Sequence, residues 1–125
     1  MKSTETHEWI DLKDGVGTVG LSDYAQKELG DIVCIELPQV GKTVKVGEEA
    51  AVLESTKAAA DVYAPISGKV IAINTQLESR PDLINEDAFG DGWICRIKPD
   101  DLEELDELLD ADAYLAMICE TESDE

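Results

Sequence analysis

The sequence has few basic residues, few aromatic residues and no long apolar run. Ten Lys and Arg residues stand against 29 Asp and Glu residues in 125, so the formal net charge is −19. Such a surface repels phosphate backbones and anionic lipid. The longest uninterrupted apolar run covers seven residues, 113–119, whereas a membrane-spanning helix needs roughly 20. We therefore expect no nucleic-acid partner and no membrane insertion.

Cysteine and histidine are also scarce. The chain has three widely spaced cysteines, Cys34, Cys95 and Cys119, and His7 is its single imidazole. An odd number of cysteines without a close pair indicates neither a disulfide framework nor a zinc site. An enzyme with Cys34 or Cys95 as nucleophile would also lack a nearby base. We expect three reduced thiols in the core.

The length allows one domain with one hydrophobic core, because two domains of about 60 residues would each be marginal. We expect this domain over residues 1–119, followed by an acidic, frayed tail over residues 120–125. Residues 101–125 contain 11 acidic and no basic residues, which either steer the chain toward basic partners or keep its surface solvated. No signal or transit peptide is recognisable, so we expect a cytoplasmic chain, or a processed chain of the mitochondrial matrix.

Turn residues divide the chain into short strand-like runs. Asp14 and Gly15 separate two such runs before residue 22, which predicts a β-meander, and Asp23 is expected to cap a short helix that ends before Gly30. Glycine and proline bound further predicted strands over residues 32–37, 43–46, 50–54, 61–63, 69–73 and 93–97. Several short antiparallel strands of this kind are typical of a mainly β fold.

The acidic C-terminal region has a different pattern. After Pro99, the pair Asp100 and Asp101 can cap a helix. The apolar stripe of that helix would consist of Leu102, Leu105, Leu108 and Leu109. A further helical turn or two is expected over residues 113–119.

Residues 48–61 are difficult to assign from local preferences. They are rich in helix formers, and Glu54 and Lys57 have the i,i+3 spacing of a helical pair. The window nevertheless lies between glycine-bounded strands, and residues 62–70 have strand-turn-strand character. We therefore expect strands here.

Several short motifs occur in order along the chain and resemble the family of glycine cleavage system H proteins. They are THEW (6–9), LSDYAQ (21–26), LGDIV (29–33), ELP (36–38), ESTKA (54–58), DVYAPISG (61–68), LINED (83–87), GW (92–93) and IKP (97–99). The resemblance spans about residues 5–118 and is specific because many motifs agree together. At Tyr24 and Thr56 other residues are commoner in the family. The difference at Tyr24 affects the wall of a cleft that the family uses to shelter its loaded arm.

The resemblance implies a lipoyl-domain-like fold. This is a mainly β, flattened barrel-sandwich hybrid with a short internal helix and a C-terminal helical segment. It also implies that Lys57 lies at the tip of a hairpin and bears lipoate as an amide. Such an arm needs an exposed amine on a rigid turn that an attaching enzyme can enclose. The small residues Ser55, Thr56, Ala58 and Ala59 are compatible with that approach.

The family's function implies a set of partners. The lipoyl arm of a monomeric, non-catalytic carrier accepts the aminomethyl group of glycine from the P-protein (glycine decarboxylase). The arm presents this group to the T-protein (aminomethyltransferase) and is reoxidised by the L-protein (dihydrolipoyl dehydrogenase). A lipoate-attaching enzyme is a further expected partner.

The resemblance also suggests roles for five other residues. Glu8 and Asp61 would be acidic positions near a cleft that shelters the loaded arm, with Thr6 as a hydroxyl position beside them. Glu54, Asp61 and Gly68 would contribute to recognition by the lipoylating enzyme. The alternatives are an exposed strand residue for Glu8, a hairpin carboxylate for Asp61 and a simple neighbour of Lys57 for Glu54. His7 has no nucleophile beside it and is expected to be a structural hydrogen-bonding group.

Other functions remain open at this point. A relay carrier that supplies lipoyl or octanoyl groups to other enzymes would have the same sequence features. An interaction module with an unmodified Lys57 is a second alternative. Biotin, which the same fold class also carries, is disfavoured because no methionine flanks Lys57.

Overall fold

The computed structural model describes the backbone of residues 1–123 and the side chains of residues 1–119. Its strands are β1 (Lys2–Ser3), β2 (Glu8–Lys13), β3 (Val16–Leu21), β4 (Ile32–Glu36), β5 (Thr43–Val44), β6 (Glu49–Ser55), β7 (Ala59–Tyr63), β8 (Gly68–Ile73) and β9 (Cys95–Pro99). Its helices are α1 (Asp23–Leu29), α2 (Gln76–Ser79), α3 (Leu83–Glu86), a 3₁₀ helix (Leu102–Glu107) and α4 (Ala111–Ser123). None of the helices in this part of the chain is long and apolar enough to cross a bilayer.

Antiparallel pairing arranges the strands in two sheets. One has six strands in the order β1-β2-β3-β9-β8-β5, and the other has three in the order β4-β6-β7. Ile10, Val19 and Ile97 of the larger sheet belong to the same buried cluster as Leu53 and Val62 of the smaller one. The core therefore joins the two sheets, which confirms the predicted mainly β, barrel-sandwich architecture.

The predicted meander is confirmed in β2 and β3. Lys13 pairs with Val16, so only Asp14 and Gly15 form the loop, and both have positive φ, at 52° and 79°. Two positive φ values in a two-residue loop are the pattern of a hairpin turn whose twist matches the strands. Local turn residues thus determine this part of the fold.

Helix α1 ends at Gly30 as predicted, but Asp23 is not its cap. Ser22 has the extended conformation of an N-cap, and its hydroxyl accepts a hydrogen bond from the Ala25 N–H at 3.2 Å. Asp23 is instead the first helical residue, and its carboxylate lies 3.0 Å from the Lys27 ammonium. Both residue types make good caps, and the buried position of Ser22 at the end of β3 decided between them.

The predicted leucine helix after Pro99 is a short 3₁₀ helix. Leu102, Leu105 and Leu108 repeat every three residues, which suits a helix with three residues per turn. Leu105 and Leu108 pack against the core, whereas Leu102 is 57% exposed. Leu109 does not continue the stripe, because its backbone forms a β-bridge with Ser3.

Helix α4 follows and is longer than the turn or two expected. It runs through Ser123, so it passes the boundary predicted at residue 119, and residues 124–125 of the predicted frayed tail lie outside the described residues. Three elements that we did not predict are β1, α2 and α3, each only two to four residues long. Elements this short carry no recognisable periodicity.

Candidate functional site

Residues 56–58 connect β6 to β7 in a tight turn organised by Ser55. Its hydroxyl accepts hydrogen bonds from the N–H groups of Lys57 and Ala58, both at 3.1 Å. The same hydroxyl donates to the Ala58 carbonyl at 3.0 Å, and the Ser55 N–H donates to that carbonyl at 2.8 Å. A serine that bonds its own turn in this way favours a turn over a helix. Residues 48–61 are therefore strands and a turn, as expected.

Lys57 lies at the exposed end of this hairpin, and the turn also contacts the segment after α1. The Thr56 N–H donates to the Asp31 carbonyl at 2.9 Å. The stem of Lys57 passes close to Gly30, where a built β-carbon would lie 3.5 Å from Cε and 3.6 Å from Cδ of the lysine. The side chain of Lys57 is solvent-exposed, as are those of Thr56 and Ala58. The amine is therefore available for acylation on a turn that is fixed from two sides.

Glu8 is the least exposed carboxylate of the predicted site, at 1%. Its Oε1 accepts hydrogen bonds from the hydroxyls of Thr4, at 2.7 Å, and Thr6. Burial raises the pKa of Glu8, and the hydrogen bonds from Thr4, from Thr6 and from the backbone of Tyr63 act in the opposite direction. Thr4 and Thr6 belong to the connection between β1 and β2, so this carboxylate holds the segment that precedes its own strand. Glu8 is thus not the exposed strand residue of the alternative interpretation.

Asp61 has a different environment. It is exposed on β7, and the Tyr63 hydroxyl donates to its carboxylate at 3.4 Å. It lines a cavity of about 360 Å³ together with Thr6 and with residues of α1, including Tyr24 and Glu28. Thr6 also lines a second cavity of about 280 Å³ with Glu8. Thr6 therefore lies between the two acidic positions, and each carboxylate borders a different cavity.

His7 borders the Asp61 cavity and is held by aromatic side chains. Its Nδ1 lies 2.7 Å from the Tyr114 hydroxyl, which is also 2.7 Å from the Ser22 hydroxyl. Its ring centroid is 4.8 Å from that of Tyr24. Burial lowers the pKa of His7, and its φ of 75° is unusual for a residue with a side chain. These contacts fit the structural function expected for His7.

Tyr114 is a residue of this site that the sequence analysis missed. It comes from α4, more than 100 positions after His7, and it is buried at 8% exposure. Nothing local in an acidic helical segment identifies one tyrosine as a hydrogen-bonding partner of a distant histidine. The signal available was only that Tyr114 is the single aromatic residue in that segment.

The two remaining residues that the resemblance suggests for enzyme recognition differ in accessibility. Glu54 is exposed on β6, where its Cα pairs with Cys34 on one side and Ala59 on the other. Gly68 is buried on β8, and a β-carbon built there would clash with the Lys98 carbonyl. Glu54 is thus available to a partner near Lys57, whereas Gly68 is required for the close approach of β8 and β9.

Cysteine chemistry is not supported at this site. Cys95 is buried, and desolvation raises the pKa of its thiol to about 12, so the thiolate is not formed at neutral pH. Cys34 and Cys119 are exposed, which corrects the expectation that all three thiols lie in the core. Over the described residues, no group of three or more His, Cys, Asp and Glu side chains could hold a metal ion.

Comparisons with known proteins agree with one another. The profile of the family described as "Glycine cleavage H-protein" matches residues 1–121. The chain is 55% identical to a glycine cleavage system H protein of Shewanella loihica and 56% identical to that of Shewanella sediminis. Both matches cover 121 residues, which are 96% of this chain and 94% of the relative.

A solved structure is similar as well. A crystal structure of a glycine cleavage system H protein from Mycobacterium marinum superposes with a TM-score of 0.85 at 38% sequence identity. The match covers 92% of this chain and 93% of that one.

Proposed function

Since the chain belongs to the glycine cleavage H-protein family, we propose that Lys57 carries lipoate as an amide and delivers its cargo on this arm. The chain is the carrier component of the glycine cleavage system and is not itself catalytic. Carriage requires a group that reaches into the active sites of other proteins. The attachment to Lys57 and the identity of those proteins are the parts that we propose.

The observation that carries the proposal is the geometry of the β6–β7 turn. Ser55 fixes the backbone of Lys57 through its hydroxyl, and the lysine side chain is exposed beyond it. The adjacent Thr56 and Ala58 are small and exposed, so an enzyme can enclose the amine. A lysine stem plus a lipoyl chain spans on the order of 10 to 15 Å by bond counting. That length suffices to enter a neighbouring active site.

Lipoate, when bound, supplies a dithiolane that takes up the aminomethyl group of glycine and later returns to the oxidised form. We propose the P-protein as donor of this group, the T-protein as acceptor and the L-protein as the oxidant of the reduced arm. The family name places the chain among the components of one system, which supports partners of this kind. The strong negative charge favours basic docking surfaces on them.

The cavity lined by Thr6 and Asp61 is the proposed shelter for the loaded arm. Asp61 is four residues after Lys57 on the same hairpin, and its exposed carboxylate can accept hydrogen bonds from an ammonium group. Glu8 already accepts hydrogen bonds from Thr4 and Thr6. We assign it the task of orienting Thr6 at the rim rather than of binding the ammonium directly.

Glu54 and Asp61 are the proposed contacts for the lipoate-attaching enzyme. Both are exposed and flank Lys57 at short distance along the hairpin. Gly68 belongs to this set through a structural effect, because its missing side chain lets β8 approach β9. A substitution of Gly68 would thus impair lipoylation through the fold.

The test is mass spectrometry of the chain after incubation with lipoate, ATP and a lipoate-attaching enzyme. We expect an increase by one lipoyl amide, and peptide mapping across residues 55–63 should place it on Lys57. The Lys57→Arg variant should remain unmodified and should fail to support glycine cleavage with the P-, T- and L-proteins.

The matched control is Lys45→Arg, which changes an exposed lysine that precedes β6 by four residues. It should be lipoylated at the wild-type rate. A wild-type chain that stays unmodified under conditions in which another lipoyl domain is modified would contradict the proposal. So would modification at a different lysine.

A further inference from the structure

The side-chain amide of Asn85, in α3, bonds three groups around the connection between α1 and β4. Its Oδ1 accepts a hydrogen bond from the Ile32 N–H at 2.8 Å. Its Nδ2 donates to the Gly30 carbonyl and to the Gln26 side-chain oxygen, both at 2.9 Å. Both amide hydrogens and one lone pair of the oxygen are therefore used. One side chain thus holds the end of a helix and the start of a strand.

The same connection supports the hairpin that carries Lys57. The Asp31 carbonyl accepts the hydrogen bond from the Thr56 N–H, at 2.9 Å. A β-carbon built at Gly30 would lie 3.4 Å from the Thr56 hydroxyl and within 3.6 Å of the Lys57 stem. Asp31 therefore contacts the backbone of the turn, and Gly30 lies beside the stem of the lysine. Whatever fixes these two residues also fixes the turn.

Strand pairing alone does not fix the connection. β4 pairs with β6 at Ile32 and Ser55, but the register shifts between Ile32 and Cys34. Gly30 has φ 80° and ψ −158°, a conformation that is essentially restricted to glycine. At such an irregularity the strand ladder does not satisfy every backbone group, and a side chain can provide the missing hydrogen bond. Asn85, 53 positions after Ile32, does so.

We propose that Asn85 is a positioning residue for the Lys57 arm, which it serves by fixing residues 30–32 beneath the turn. Its effect on lipoylation rests on the function proposed above, whereas its effect on the order of the turn does not. A turn that is ordered before binding loses little conformational freedom when the attaching enzyme encloses it. Loss of the Asn85 amide therefore raises KM for the attaching enzyme more than it lowers kcat.

Asn74 provides a matched control. It is 4% exposed, and its Nδ2 donates to the carbonyls of Asp91 and Trp93, both at 2.8 Å. Asn74→Ala and Asn85→Ala each remove an amide whose two N–H groups are used. The first change affects the segment before β9, and the second affects the support of the turn.

The first experiment measures amide hydrogen exchange in the unmodified chain. In Asn85→Ala we expect exchange at Thr56 to accelerate about tenfold relative to Leu53 and Val62 in the flanking strands. In Asn74→Ala the ratio should remain at its wild-type value. Equal ratios in the two variants would overturn the proposal, whether or not the chain is ever lipoylated.

The second experiment measures lipoylation of Lys57 at varied concentrations of the carrier. For Asn85→Ala we expect a five- to tenfold loss of kcat/KM, expressed mainly in KM, with roughly the wild-type value for Asn74→Ala. Similar losses in both variants, or a loss confined to kcat, would contradict a positioning role. If the wild type itself is not lipoylated, the proposed function fails, and hydrogen exchange still decides the role of Asn85.

Asn85→Asp keeps the inference testable if Asn85→Ala does not fold. The aspartate has the same shape and retains an acceptor for the Ile32 N–H, but it donates nothing to Gly30 or Gln26. We expect faster exchange at Thr56 than in the wild type. Wild-type exchange at Thr56 in a folded Asn85→Asp chain would show that donation to Gly30 is not needed for order in the turn.

Discussion

Glu8 and Ser55 each accept hydrogen bonds from more than one neighbour, but Glu8 lies in the interior and Ser55 at an exposed turn. Around Glu8, the hydroxyls of Thr4 and Thr6 converge on a buried carboxylate. Around Ser55, two backbone N–H groups converge on one hydroxyl at the hairpin tip. The Glu8 carboxylate is itself closed off from water, whereas water reaches the N–H groups at the hairpin tip.

Stability and function depend on different regions of this molecule. The Glu8 carboxylate is buried and already accepts hydrogen bonds from Thr4 and Thr6, so it has little freedom to bind anything else. The Lys57 turn contributes little to the core, because its side chains are exposed, and it can present a reactive group. Asp61 shares the exposed character of the turn, although the resemblance gives it the same role as Glu8.

The largest effect on stability is expected for Glu8→Ala. The change removes a buried side chain and leaves the hydroxyls of Thr4 and Thr6 without their acceptor, so we expect a loss of about 2 to 3 kcal/mol. Urea unfolding measures this loss in the free energy of unfolding. Glu5→Ala, at an exposed position nearby, should change stability by less than about 0.5 kcal/mol. Equal losses of stability in Glu8→Ala and Glu5→Ala would contradict the expected difference between a buried and an exposed carboxylate.

Glu8→Gln tests the same carboxylate through pH. Burial raises the pKa of Glu8 in the folded state above its ordinary value of 4.5, so the folded state holds this proton more tightly than the unfolded state. The stability associated with protonated Glu8 is fully present below pH 4.5 and is lost as the pH rises through the folded-state pKa. The wild type should therefore lose stability relative to Glu8→Gln over that interval. A constant difference between pH 4 and pH 7 would show that Glu8 does not titrate as described.

A smaller effect is expected at the turn. Ser55→Ala removes the acceptor for the Lys57 and Ala58 N–H groups, both of which water can reach, so we expect a loss of about 1 kcal/mol. Thermal unfolding measures the loss. Ser79→Ala is the control, because that exposed hydroxyl makes a single hydrogen bond of 3.3 Å and should contribute still less. A loss as large as that of Glu8→Ala would mean that the turn is part of the structural core.

The smallest effect on stability is expected for Asp61→Asn. The carboxylate is exposed and has only a 3.4 Å contact with the Tyr63 hydroxyl. The free energy of unfolding should therefore change by less than about 0.5 kcal/mol. Glycine cleavage in the reconstituted system should nevertheless fall several-fold, since the proposed shelter loses its exposed charge. Glu49→Gln, at the far end of β6, is the control for a lost surface charge. Unchanged turnover in Asp61→Asn would remove Asp61 from the proposed shelter.

Much of the fold was predictable because local chemistry decides it. Asp14 and Gly15 predicted the first hairpin, since few other residues adopt two successive positive φ values. The choice between Ser22 and Asp23 as the cap of α1 was not predictable, because both side chains can accept the same hydrogen bond. The leucines after Pro99 predicted a helix, but their exact repeat of three residues, which favours a 3₁₀ helix, was misinterpreted.

The candidate site was predictable only in part, for a similar reason. The motif around Lys57 and the residues Thr6, Glu8 and Asp61 were available from the resemblance. Their environments were not: Glu8 proved to be buried and hydrogen-bonded, and Asp61 exposed. Burial depends on which segments cover a residue, and a local pattern in the sequence does not contain that information.

Composition and short motifs by themselves determined that this chain is an acidic, mainly β protein of the H-protein family with one distinctive lysine. Only the tertiary structure decided that Tyr114 contacts His7 and that Asn85 supports the connection beneath the Lys57 turn. These partners are 107 and more than 50 positions apart. Contacts of that separation arise from the packing of whole elements, so they appear only once the two sheets and their helices are assembled.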